Sequence, residues 1–124
     1  MRRWILTLGL PIIGLMLAAC GEGSSVGGSY GEADAVIRAG PAVTVSLKDL
    51  VFAPKAIRVP VGTTVTWKNE EAPLHNVSSI DEVFVSPDLR KGDVFSFTFD
   101  RPGTYRYQCT YHHPAMIGVV IVDG

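Results

Sequence analysis

The chain has 124 residues, 47% of them apolar and 19% charged, with 11 Lys and Arg against 12 Asp and Glu. So large an apolar fraction excludes a disordered charged tail. Without a basic excess nothing would replace phosphate counterions, which argues against a nucleic-acid partner, and the length accommodates one domain.

Met1-Arg2-Arg3 is a positive n-region, residues 4–19 carry no charge, and Leu17-Ala18-Ala19 puts small residues before Cys20. This stretch is too short and asymmetric for a spanning helix and reads as an export signal over residues 1–19. Small residues ending at a cysteine resemble the bacterial lipoprotein cleavage box. That resemblance implies a lipidated Cys20 anchoring the mature chain to a membrane, on its periplasmic or cell-surface side. Ordinary cleavage near Ala19 and an uncleaved anchor are the alternatives. The Arg2-Arg3 pair leaves general and twin-arginine export both open. Without residues 1–19 the chain keeps 9 of its 11 basic side chains against 12 acidic ones, a formal charge of −3.

Residues 21–31 read GEGSSVGGSYG, a Gly/Ser-rich tether with no apolar period. Its root-mean-square reach is about 20 Å. Residues 32–40 are open to three readings: more linker, a short helical turn or an edge strand. With Cys20 they make a tether region over 20–40.

From Pro41 the pattern is one of short strands. Residues 42–47 alternate apolar and polar, the period of a half-buried strand. Residues 51–54 and 57–59 follow, with Pro54 and Pro60 restricting them to edges or bends. Val61-Gly62 is a turn, and residues 63–67 alternate again, with Val65 and Trp67 on one face. Residues 93–100 read DVFSFTFD, with Phe95, Phe97 and Phe99 on one face. Arg101-Pro102-Gly103 is a turn. In residues 104–109, TYRYQC, Tyr105, Tyr107 and Cys109 share the face that is expected to point inward. Residues 117–122 form a last apolar strand. No helical period appears after the signal. Short strands separated by Pro and Gly turns give an all-β sandwich or barrel over residues 41–124. So small a β domain buries a modest share of its surface, so a cross-link or metal matters to it.

If Cys20 is lipidated, Cys109 has no partner for an internal disulfide. It is then a dimer bridge, an inert buried thiol or a metal ligand. Its inward face disfavours the bridge. The segment Cys109-Thr-Tyr-His-His-Pro-Ala-Met116 offers a thiolate, two adjacent imidazoles and a thioether, and Pro73-Leu74-His75-Asn76-Val77 offers a further imidazole. A lone loop histidine is usually a surface residue, and a lone methionine before a strand is usually core. Here every histidine, and the one methionine beyond residue 19, join Cys109 in a single candidate cluster. Two His, one Cys and one weak axial Met make the donor set of a blue-copper site. With one thiolate the site carries net charge +1 with Cu(II) and zero with Cu(I), so neither state buries a large charge.

These residues carry a family resemblance. Gly62-Thr-Thr-Val-Thr-Trp67-Lys-Asn69, Ala72-Pro-Leu-His-Asn-Val77, and Gly103-Thr-Tyr-Arg-Tyr-Gln-Cys109 running into His112, Met116 and Gly118-Val-Val-Ile-Val122 resemble the small cupredoxins, the plastocyanin, pseudoazurin and amicyanin group. The resemblance implies a Greek-key β-sandwich holding one type I copper ion near one end, and electron transfer rather than catalysis. It implies His75 as the upstream imidazole ligand, Cys109 as the thiolate, His112 at the Cys-x-x-His spacing and Met116 as the axial thioether. It also implies a backbone contact from Asn76 to the sulfur, a kind of contact that tunes potential.

Two departures stand out. Three residues separate His112 from Met116, where small cupredoxins usually have two or four. Taking His113 as ligand restores two but lengthens the spacing from Cys109. His112 is preferred, because the Cys-to-His distance is the tighter constraint. Leu74 also stands where a proline is frequent.

The implied partners are redox proteins docking at an apolar rim of Leu74, Pro114 and Ala115 near the C-terminal imidazole. No small-molecule substrate is expected. Glu70, Glu71, Asp81 and Glu82 read as local acidic patches or solvated loops. A copper carrier or storage lipoprotein of the same fold, without redox cycling, is the main alternative. A Cys-His hydrolase lacks an orienting third group. A multicopper oxidase needs more histidines, a dinuclear copper site needs a second nearby cysteine, and zinc is poorly served by methionine.

Overall fold

The computed structural model describes residues 30–124, so the export signal over 1–19, Cys20 and the tether up to residue 29 lie outside the described residues. Nine strands are present among the described residues: β1 (Val36–Ile37), β2 (Ala42–Lys48), β3 (Val51–Ala53), β4 (Ala56–Pro60), β5 (Thr64–Asn69), β6 (Ser78–Ser79), β7 (Val94–Thr98), β8 (Gly103–Gln108) and β9 (Ile117–Asp123). They form a five-stranded sheet in the order β1-β4-β9-β8-β6 and a four-stranded sheet in the order β3-β2-β5-β7. This is the expected Greek-key β-sandwich.

The inward faces follow the period-two pattern. Val43, Val45 and Leu47 of β2 are buried, as are Val65 and Trp67 of β5. These two strands run parallel with Val45 opposite Trp67. Trp67 stacks on Phe84 (centroids 5.5 Å apart) and Phe95 (5.9 Å) and meets the edge of Tyr107 at 5.3 Å. Such pairs add to simple area burial. Phe84 belongs to the 78–89 excursion, which strand patterning leaves unassigned, yet it fills the middle of the core.

Residues 32–40 resolve into a single 3-10 turn (Glu32–Asp34) followed by β1, which pairs in parallel with β4. Tyr30 and Ala35 cover Ala56, Val119 and Ile121 on the outer face of the five-stranded sheet. An ion pair between Glu32 and Arg106 (2.5 Å) and the Arg106 guanidinium 5.7 Å from the Tyr30 ring pin this segment. Six consecutive residues of β9 are therefore buried, where a one-faced strand would alternate. Pro60 closes β4 opposite Asp123. It needs no edge position, because its missing N–H falls at the strand end.

The two-residue link between β2 and β3 places Asp49 at φ 56° and Leu50 at φ 58°. Two successive positive φ values suit the right-handed twist of a tight hairpin, but for leucine this region costs roughly 1–2 kcal/mol. That cost is met at the site described next.

Candidate metal centre

Two loops at one end of the sandwich build the centre. The first leaves β5 at Asn69, a fully buried side chain that organises it. Asn69 Nδ2 donates to the carbonyls of Pro73 (2.9 Å) and Leu89 (2.8 Å), and Asn69 Oδ1 accepts from the Glu71 N–H (2.9 Å). His75 is then locked to Leu89 by a reciprocal backbone pair, N–H to O at 3.1 and 2.7 Å. Its ring is completely buried. Nε2 lies 2.7 Å from Glu71 Oε1, and Nδ1 lies 3.7 Å from Cys109 Sγ.

The second loop runs from β8 to β9. Cys109 follows β8 directly and is fully buried, continuing the inward face of Tyr105 and Tyr107. Its N–H donates to the Met116 carbonyl (3.0 Å) and its carbonyl accepts from His112 N–H (3.3 Å). The His112 carbonyl in turn accepts from the N–H groups of Ala115 and Met116, both at 3.1 Å. This closed turn brings His112 Nδ1 to 3.4 Å from Cys109 Sγ. Met116 is fully buried just before β9, while His113 is exposed. Of the two adjacent imidazoles, the structure turns His112 toward the sulfur.

One ligand atom each from His75, Cys109 and His112 lie within 4.8 Å of one another. The two imidazole rings are 4.9 Å apart. An ion between them would meet two nitrogens and a sulfur in water-poor surroundings, with a thioether-bearing residue buried alongside. Thiolate and thioether favour Cu(I) and imidazole serves both oxidation states, so the donor set fits copper.

The Asn76 side chain bridges the loops. Its Nδ2 donates to Thr110 Oγ1 (2.7 Å) and its Oδ1 accepts the Thr110 N–H (2.8 Å). The Tyr111 hydroxyl donates to Asp88 Oδ1 (2.6 Å), a contact that raises the Tyr111 pKa because the neighbouring carboxylate opposes a phenolate.

Glu71 has a role that sequence reading missed. It is neither patch nor solvated loop. Its Oε2 accepts the Asp49 N–H and its Oε1 the Leu50 N–H, both at 2.9 Å, beside the contact to His75. Burial opposes its charge, but the Leu50 N–H, the His75 ring and the Asp49 N–H together hold its carboxyl below the usual range. These bonds also offset the unfavourable backbone of the β2–β3 turn. A carboxylate four residues before a candidate histidine ligand was the available signal.

The family model for copper-binding proteins of the plastocyanin/azurin family matches residues 39–123. Amicyanin from Paracoccus denitrificans is 37% identical over 87 residues, which cover 66% of each chain, so the match spans about two thirds of that relative's length. Among solved structures, a purple cupredoxin from Nitrosopumilus maritimus superposes with a TM-score of 0.61 at 34% identity, covering 65% of this chain and 99% of that one. A copper-containing nitrite reductase from Thermus scotoductus gives 0.63 at 36% identity, covering 67% of this chain but only 22% of that enzyme. Fold, donor set and matches agree, and the chain belongs to the plastocyanin/azurin family as a small blue copper protein with one type I copper ion.

Proposed function

We propose that the protein shuttles single electrons between redox proteins outside the cytoplasm, with His75, Cys109 and His112 as the strong copper ligands and Met116 as the weak axial one. The observation that carries this reading is the approach of two imidazole nitrogens and one sulfur within 4.8 Å at a buried site. Bound copper supplies the one-electron couple. The chain supplies everything else. Reciprocal backbone bonds fix His75 against Leu89, and the turn from Cys109 to Met116 fixes the other donors, so little reorganises between oxidation states. Asn76 holds the two loops at a constant separation. Burial of Cys109, His75 and Met116 keeps water away from three of the four proposed donors.

Electron exchange is assigned to the His112 side. His112 is half-buried, Pro114 and Ala115 are exposed and Leu74 is half-buried around it. Such a rim suits the small, quickly released interfaces of redox partners. The reading includes a lipid anchor at Cys20, which the Gly/Ser tether would hold about 20 Å from the domain.

Voltammetry and the visible spectrum of copper-loaded protein test the function. The expected result is one copper per chain, intense colour and a reversible one-electron wave. A colourless protein that binds Cu(I) tightly and does not cycle would contradict it in favour of a copper carrier.

A further inference from the structure

We infer that Glu71 is a positioning residue through which the β2–β3 turn sets the His75 imidazole, so that the turn is a determinant of the copper centre. The inference rests on His75 being a ligand, as proposed above. Glu71 gathers three donors from two separate parts of the chain: the N–H groups of Asp49 and Leu50 at 2.9 Å each, and His75 Nε2 at 2.7 Å. Asp49 and Leu50 both lie at positive φ, and their successive N–H groups converge on this carboxylate. Successive N–H groups in such a conformation form a concave anion cradle. The carboxylate cannot shift toward or away from His75 without breaking a bond to the turn.

The consequence for the imidazole is specific. With Nε2–H donated to Glu71, the proton-free nitrogen is Nδ1, which faces Cys109 Sγ at 3.7 Å. The hydrogen bond at one ring nitrogen decides which nitrogen is free for a metal. Here that bond traces back to a turn at the edge of the four-stranded sheet, where Leu50 and Val51 are exposed. The route from the turn to the ring is two hydrogen bonds long and bypasses the aromatic core.

The test uses the metal-free full chain first. Long-range proton–nitrogen correlation spectra should show His75 as a single tautomer protonated at Nε2. In Glu71→Gln, the amide NH2 must face either the Asp49 N–H or both the Leu50 N–H and His75 Nε2. Amide exchange at Asp49 and Leu50 should accelerate about tenfold, the value of one lost hydrogen bond, and His75 should populate both tautomers. Glu71→Asp, too short to reach both the turn and the ring, should show the same uncoupling and serves if the glutamine variant does not fold. After copper loading, Glu71→Gln should retain one copper per chain with a displaced reduction potential. His75 protonated at Nδ1 in the wild type would overturn the inference, as would a single unaltered tautomer with unchanged Asp49 and Leu50 exchange in both Glu71 variants. If instead His75→Ala kept the intense colour, the ligand assignment would fail while the Glu71 measurements still reported the coupling.

Discussion

Cys109 and His112 sit in one turn, three residues apart, and this closeness separates the roles of neighbouring side chains. Cys109→Ser should abolish the intense colour, because the absorption needs a thiolate. His112→Ala should weaken copper binding and change the spectrum, whereas His113→Ala, at an exposed position, should leave both intact. Met116→Gln should keep the copper and lower the potential, by replacing a soft thioether with an oxygen donor. Titration with copper and optical spectra of the four variants check this set. Retained colour in Cys109→Ser would remove the thiolate assignment. The burial of Cys109 was legible in the sequence, since strand alternation turned it inward. Spacing favoured His112 over His113 without settling the choice. One residue of loop length shifts both spacings, and only the bonds closing on the His112 carbonyl decide which ring turns inward. Glu71 was hidden for another reason: two of its partners, Asp49 and Leu50, are more than 20 residues away.

The strands were readable almost to their ends, because period-two burial depends only on neighbouring residues. The 78–89 excursion was not, because Phe84 enters the core from a segment that makes little regular pairing. β1 stayed open because it is two exposed residues long and shows no alternation of its own. Within the core, β8 and β9 meet where Tyr107 faces Gly118. A Cβ at Gly118 would stand 2.5 Å from Tyr107 Cζ. Gly118→Ala should therefore destabilise by about 1–3 kcal/mol, the usual cost of overpacking, measured as a lower urea midpoint with an unchanged slope. Wild-type stability would show that the ring has room to move. The Tyr107 hydroxyl is buried and, like Trp67 Nε1, reaches no hydrogen-bond partner among the described residues. Burial raises its pKa well above the ordinary 10.0, with the nearby Trp67 opposing weakly. The unfolded chain loses this proton near pH 10 while the folded chain keeps it. Its contribution is thus complete below about pH 10 and declines as the pH rises further. Tyr107→Phe should flatten that alkaline decline in denaturant titrations while changing neutral stability by less than about 1 kcal/mol. An equally steep decline in the variant would assign it to other groups.

At the scale of the molecule, the loops that carry His75 and Cys109 follow strands of different sheets, so a copper ion held between them would tie the two layers together. Removing it should leave a folded but less stable protein. The difference grows with free copper, reaching about 4 kcal/mol at a thousandfold excess over the dissociation constant. Calorimetry of metal-free and loaded protein should show one cooperative transition in each, the loaded one higher. An unfolded metal-free chain would mean that the core alone is insufficient. Fold class was the most legible property of all, because β2, β5, β7 and β8 leave an alternating pattern that survives every local ambiguity.

At the centre of the proposed function, a thiolate and two imidazoles hold one copper ion. Electron paramagnetic resonance of the Cu(II)-loaded chain addresses this most directly. It should give a single copper signal with the narrow parallel hyperfine splitting that sulfur covalency produces, and that splitting should widen in Cys109→Ser. A wide splitting indifferent to the cysteine would mean that copper sits elsewhere and would contradict the account.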